Sequence, residues 1–198
     1  HYGMLDRISP QDTPWSEKKN QAVFRGTLTG LLPSNSRFVT ISSNALILSD
    51  DEAADKCEEL PRCRLVYQSK STLVAAKLVV PRLQHTDIPE RIRNVSLFDT
   101  RMQKSQLLEY KAIVVLEGND VSTSLKWVLL SNSVVLAAET PTFTSWAMEE
   151  LLEPWVHYVP LNPERWDVEE KMQWILDHDA EAQAIARRGS LWVRDLWF

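Results

Sequence analysis

The strongest constraint on how this chain can fold is a regular alternation that begins near Leu107. Lys111 to Leu116 (KAIVVL) is a short, almost wholly apolar run closed by Glu117-Gly118-Asn119-Asp120. A run of that length reads as a strand buried on both faces, which requires helices on both sides of its sheet. Ser122 to Leu130 then sets Leu125, Val128 and Leu129 on one helical stripe, Asn132 interrupts it, and Ser133 to Ala137 (SVVLA) is a second buried strand. Thr144 is expected to open a helix carrying Trp146, Met148, Leu151 and Leu152 as far as Pro154, with a third strand over Val156 to Val159. Asp167 followed by Glu170 predicts a capping box, and Val168, Met172 and Ile175 fall at i, i+4 and i+7 of the helix it opens. A last helix is expected over Ala180 to Arg188, with Gly189 as its left-handed stop. Strands alternating with helices in this way imply an α/β fold, a doubly wound parallel sheet with right-handed crossovers. Such sheets take their ligands outside the carboxyl ends of the strands.

The first hundred residues carry less signal. Gln21 to Phe24 and Leu65 to Tyr67 read as strands, Arg37 to Leu48 as a helix between them, and Pro81 to Phe98 as irregular. Seven of the eight tryptophans lie from Trp127 onward, which predicts the better-packed core there. With 22 Lys+Arg against 27 Asp+Glu the net charge is −5, so nucleic acid is not an expected partner. No apolar run approaches the roughly 18 residues of a membrane span. Cys57 and Cys63 are too few for a disulfide scaffold and lack the second pair of a zinc site; bridged to each other or free, both states stay open. The chain opens on His1 and closes in mid-pattern on Leu196-Trp197-Phe198, so it reads as a segment of something longer.

The most informative local feature is Glu117 to Lys126 (EGNDVSTSLK), placed where the first buried strand hands over to the next helix. Backbone N–H groups attract an anion at such a junction. Gly118 permits close backbone approach, Ser122 and Ser124 offer hydroxyls, and Lys126 a positive charge suited to a diphosphate. The competing reading makes Ser122 a helix cap and Lys126 a solvated surface lysine. Phe24-Arg25-Gly26-Thr27 is a second candidate, since an arginine at a strand end beside glycine can bind phosphate in bidentate fashion; a surface arginine in a turn is the alternative. His157 in its strand reads as a hydrogen-bonded core residue, because no acidic or thiol partner is spaced to make it a base or ligand. Glu149, Glu150 and Glu153 read as a solvated acidic face, the alternative being a carboxylate that binds a ribose. There is no GxSxG elbow and no GxGxxG loop.

Taken together and in order, FRGTLTG at Phe24 to Gly30, YKAIVVLEGNDVSTSLKWVLLSNSVVL at Tyr110 to Leu136, LEPWVHYVPL at Leu152 to Leu161 and VEEKMQWILDHDAEAQAIARRGSLWV at Val168 to Val193 resemble glycosyltransferase family 90, the capsule-associated protein and protein O-glucosyltransferase family. The resemblance implies a metal-independent, inverting transferase of the GT-B type, with Rossmann-like domains, no cofactor, and a UDP-sugar donor. It would move glucose or xylose from UDP-glucose or UDP-xylose to a hydroxyl of a protein or polysaccharide. Residues 1–100 would then be a partial N-terminal region with the start of the nucleotide-sugar domain, and 101–198 the donor-nucleotide region. Arg25 matches the family arginine that contacts the UDP phosphates, with Gly26 and Thr27 beside it. Ser124 and Lys126 match the serine and basic residue after the EG pair, so Lys126 would neutralise the leaving diphosphate, which agrees with the anion site of Gly118, Ser122, Ser124 and Lys126.

Two departures accompany the match: Leu28 stands where some members carry a second arginine, and Lys126 where an arginine is frequent, which removes bidentate geometry. The family's catalytic aspartate lies before the FRG motif, and neither Asp6 nor Asp12 sits in a matching motif, so no catalytic base is assigned. A nucleotide-sugar-binding module without turnover, or another Rossmann-type nucleotide-binding enzyme, remains the alternative. The sequon Asn94-Val95-Ser96 and the habits of eukaryotic members point to the lumen of the Golgi or endoplasmic reticulum, with the bacterial cytoplasm as the other possibility.

Overall fold

A computed structural model describes residue 8 and residues 12–29, 48–79, 88–118, 120–138 and 142–197. Its centre is a parallel sheet of β1 (Lys19–Gly26), β2 (Val74–Leu78), β5 (Tyr110–Val114), β6 (Val134–Ala138) and β7 (Val159–Leu161), in the spatial order β2-β1-β5-β6-β7. The winding reverses between β1 and β5, where one branch runs to β2 and the other through β6 to β7. The doubly wound α/β architecture expected from the alternation is therefore present.

Period-two alternation sends successive strand residues to opposite faces. Ala112 and Val114 of β5, with Val134 and Leu136 of β6, enter one apolar cluster, closed by α1 (Asp50–Glu59), α2 (Pro61–Gln68) and α5 (Val168–Asp177). Ile113 and Val135 enter the other, closed by α4 (Thr123–Leu129) and by Val193 of α6 (Asp179–Trp197). Packing thus divides by sheet face and not by chain half. Trp15 is buried in the first cluster, whereas Trp146 and Trp155 are 39% and 37% exposed, so the crowding of tryptophan does not mark the denser core.

Several expectations change. Leu65 to Tyr67 belong to α2 and not to a strand. Pro61, pre-set for a first helical turn, starts that helix, and three apolar residues alone do not separate helix from strand. Within Pro81 to Phe98, residues 91–96 form a hairpin of β3 (Arg91–Ile92) and β4 (Val95–Ser96), while 81–87 lie outside the described residues, as does nearly all of the helix expected over Arg37 to Leu48. A four-residue helix, α3 (Lys104–Leu107), leads into β5.

The helix expected from Thr144 reduces to one 3-10 turn, Glu149–Leu151, behind Met148 at φ 50°. Carboxylates of Glu117 and Glu149 take the N–H groups of Thr142, Phe143 and Ser145 at the start of this segment. Trp146, Met148 and Leu151 consequently face solvent. The third strand starts at Val159, because Trp155 at φ 64° folds residues 154–158 into a turn closed by its own N–H on the Tyr158 carbonyl at 2.7 Å. Asp167 makes no capping bond; its carboxylate accepts from the Asn162 N–H at 2.8 Å, and Glu170 pairs with Arg165 instead. Gly189 does not stop a helix, since α6 runs through it to Trp197.

Cys57 and Cys63 are joined in a disulfide that ties the end of α1 to the start of α2, both sulfurs fully buried. Closing so short a loop restricts the unfolded chain only modestly, so the Cys57→Ala, Cys63→Ala double variant is expected to lose about 2 kcal/mol of unfolding free energy. Urea titration of the variant against the parent checks this, and an unchanged midpoint would refute it.

Candidate functional site

The carboxyl ends of β5, β6 and β7 open onto a cleft of about 470 Å³. Val115 to Gly118 leave β5 along one wall, Ala137 and Ala138 end β6 in its floor, and Ser122 and Leu125 approach from α4. Pro61 and Arg64 of α2 face Pro163 and Trp166, which follow β7. The Arg64 guanidinium donates to the Pro163 carbonyl at 2.8 Å and lies over the Trp166 ring, 5.9 Å from its centroid.

The cleft is closed on one side by residues 142–152, and two acids hold that segment. The Glu117 carboxylate accepts from the backbone N–H groups of Thr142 and Phe143, each at 3.0 Å. The Glu149 carboxylate accepts from the Ser145 N–H at 2.7 Å and the Ser145 hydroxyl at 2.8 Å, and pairs with the Lys126 ammonium at 2.6 Å. Burial alone would raise the Glu149 carboxyl; the hydrogen bonds from Lys126 and Ser145 more than reverse that and hold it below the usual range. It is ionised at neutral pH. Of the three acids read as a solvated face, Glu150 and Glu153 are exposed and Glu149 is buried at 3%.

Among the residues singled out from the sequence, Gly118 and Ser122 line the cleft. Ser122 stands at the N-cap of α4 without a side-chain capping bond; its hydroxyl lies 2.9 Å from that of Ser124. Lys126 is 8% exposed, which removes the reading of a solvated surface lysine; neither it nor Ser124 lines the cleft, but its ammonium meets Glu149, which does. Arg25, Gly26 and Thr27 lie at the end of β1 and are not cleft residues. The Arg25 guanidinium donates to the Phe24 and Ala75 carbonyls at 2.8 and 2.7 Å and reaches Asp99 at 3.3 Å, while its buried Nε has no hydrogen-bond partner. Arg25 is therefore not a free surface arginine. His157 sits in the 154–158 turn and not in a strand; its Nδ1 accepts from the Glu153 N–H at 2.9 Å and its ring leans on Trp192, with centroids 5.1 Å apart. Desolvation lowers its pKa, so it is a neutral structural residue at pH 7.

Sequence reasoning missed Arg62. Its guanidinium donates to the carbonyls of Thr27, Leu116 and Glu117 at 3.0, 2.9 and 3.2 Å and to the Thr29 hydroxyl at 2.8 Å. It thereby stitches the ends of β1 and β5 together at the point where the sheet reverses. Burial pushes its pKa down to about 10, which leaves it charged at neutral pH. Gly118 makes room for it, because a Cβ there would stand 3.1 Å from both the Arg62 Nη2 and the Thr29 hydroxyl. No local pattern around Pro61-Arg62-Cys63-Arg64 announces this role. Partners 33 to 55 residues away define it.

Comparison with known proteins identifies the family. O-glucosyltransferase LpsA of Dichelobacter nodosus is 38% identical over 92 residues, which cover 46% of this chain and 29% of that protein. Human protein O-glucosyltransferase 3 is 36% identical over 88 residues, 44% of this chain and 17% of that protein. An uncharacterised protein of Invertebrate iridescent virus 3 is 29% identical over 182 residues, 91% of this chain and 15% of its own length. The chain thus spans less than a third of the length of these relatives. No described helix is long and apolar enough to cross a membrane. The profile of glycosyl transferase family 90 matches residues 4–196, nearly the whole chain, and the chain belongs to that family.

Proposed function

We propose that this chain forms the donor-nucleotide-binding part of an inverting, GT-B type glycosyltransferase that moves a glucosyl or xylosyl group from a UDP-sugar to a hydroxyl of a protein or glycan. The observation that carries this reading is the cleft at the carboxyl ends of β5–β7, with Gly118 and Ser122 in its wall and the buried Lys126 ammonium reaching that wall through Glu149. A parallel doubly wound sheet takes its ligand at that edge, and proteins named as O-glucosyltransferases are 36–38% identical to this chain over somewhat less than half of its length.

The chemistry asked of these residues is charge stabilisation. An acceptor hydroxyl displaces the nucleoside diphosphate at the anomeric carbon, and an aspartate outside this segment takes its proton. Negative charge builds on the departing diphosphate, where a pre-placed cation in a desolvated site is most effective. The Ser122 hydroxyl meets that charge at the cleft surface, and Lys126 and Ser124 stand behind it, Lys126 against Glu149 of the wall and Ser124 against Ser122. Arg25, Gly26 and Thr27, which the resemblance assigns to the UDP phosphates, stand outside this cleft at the end of β1, where the Arg25 guanidinium is engaged by the Phe24 and Ala75 carbonyls and by Asp99, so the cleft chemistry is not assigned to them. Lys126 supplies charge that a metal ion supplies elsewhere, so donor binding is expected to survive chelation. The lumen of the secretory pathway is the compartment this reading favours, with the bacterial cytoplasm as the alternative.

Calorimetric titration of the full chain with UDP in the presence of EDTA tests it. Binding is expected, and Lys126→Ala should weaken it by about 1.5 kcal/mol, the worth of one charge-assisted contact. A folded protein that ignores UDP, or a Lys126→Ala variant that binds it unchanged, would refute the assignment.

A further inference from the structure

We propose that Glu149 is the positioning residue for Lys126, holding its ammonium where the departing diphosphate needs it; this rests on the donor-site reading above. The two side chains are 2% and 10% exposed and 2.6 Å apart, so neither has water enough to be oriented by solvent. Alone, a lysine in that place would face the full cost of its own desolvation and would either lose its proton or turn outward.

Glu149 is not itself a free ligand group. One oxygen accepts from Lys126 and the Ser145 hydroxyl, the other from the Ser145 N–H and hydroxyl, so its acceptor sites are already occupied by protein. Lys126 is the opposite case. An ammonium carries three donors, and among the described residues Glu149 is its one recorded partner. One N–H is engaged by the carboxylate, and the other two are the donors that the donor-site reading assigns to an anionic oxygen. Lys126 does not itself line the cleft; Glu149, which does, holds the ammonium directly against that wall. The lysine stem is thus ordered before the nucleotide arrives, which lowers the entropy lost on binding.

A thermodynamic cycle on the full chain separates positioning from a merely structural role. UDP affinity is measured for the parent, Glu149→Gln, Lys126→Ala and the double variant. Each single change is expected to weaken UDP binding about tenfold, and the double variant to bind no more weakly than Lys126→Ala alone, because Glu149 acts through the lysine. A double variant weakened by the product of the two, about a hundredfold, would overturn the proposal. So would a Glu149→Gln protein that binds UDP as tightly as the parent or more tightly while Lys126→Ala still binds weakly. A Lys126→Ala variant with unaltered affinity instead overturns the donor-site reading itself. Should Glu149→Gln fail to fold, Ser145→Ala, which removes only the hydroxyl that steadies Glu149, takes its place in the same cycle with a smaller loss and the same non-additivity.

Discussion

Arg62→Met is expected to lower the unfolding free energy by about 3 kcal/mol and to abolish detectable nucleotide binding, although by the donor-site reading Arg62 touches no substrate. Methionine keeps much of the apolar stem, so the change isolates the guanidinium. That group makes four hydrogen bonds, three to carbonyls at the ends of β1 and β5 and one to Thr29. Bonds from a charged donor contribute about 1.5 to 3 kcal/mol each, but the acceptors lie at strand ends where water can replace part of what is lost. The net therefore falls well below the sum. The second consequence is geometric: Leu116, Glu117 and Gly118 form a cleft wall whose backbone Arg62 holds, and Glu117 in turn carries Thr142 and Phe143. Without the guanidinium, the wall and the segment it supports lose their common anchor. Urea unfolding and UDP titration read the two effects separately. A loss below about 1 kcal/mol, the worth of a single ordinary hydrogen bond, would show that Arg62 is a bystander.

How much of this was legible in the sequence depends on the distance over which each feature is decided. β5, α4, β6 and α5 are settled by their own apolar spacing, and the expected elements match the observed ones to within a residue or two. Gly118, Ser122, Ser124 and Lys126 lie within nine positions of one another, so a reading of local composition could gather them. Glu149 and Arg62 could not be gathered in that way. Glu149 reaches Lys126 across 23 positions because residues 142–152 refuse the helix that their apolar spacing predicts. The segment is instead held at its start by two carboxylates, one of them at Glu117, far back in the chain. Periodicity reports what a segment would do in isolation, and tertiary context can override it.

Gly189 shows the same conflict with opposite sign, and it carries the other large effect. From the sequence, a glycine after an amphipathic run reads as a left-handed cap, and replacing it should strain the backbone. In the structure α6 continues through Gly189, so its backbone is helical and on propensity alone alanine would be favoured by about 1 kcal/mol. Space reverses this. A Cβ at Gly189 would stand 2.7 Å from the His157 carbonyl oxygen and 2.9 Å from the Leu129 Cδ2. The leucine belongs to α4 and is 2% exposed in the second core cluster, so it cannot swing aside. The carbonyl belongs to the 154–158 turn, which Arg188 pins by donating to Val156 at 2.8 Å and which the Trp155 N–H closes. Gly189→Val, which adds γ-carbons to the same collision, is expected to cost about 3 kcal/mol, the upper part of the range for overpacking a filled interior; Gly189→Ala should lose less, because helix propensity offsets part of the clash. Thermal and urea unfolding of both variants test the sign. An alanine variant more stable than the parent would mean that α6 stands farther from the turn than described, and would free the β6–β7 end of the cleft from the helix that fixes it.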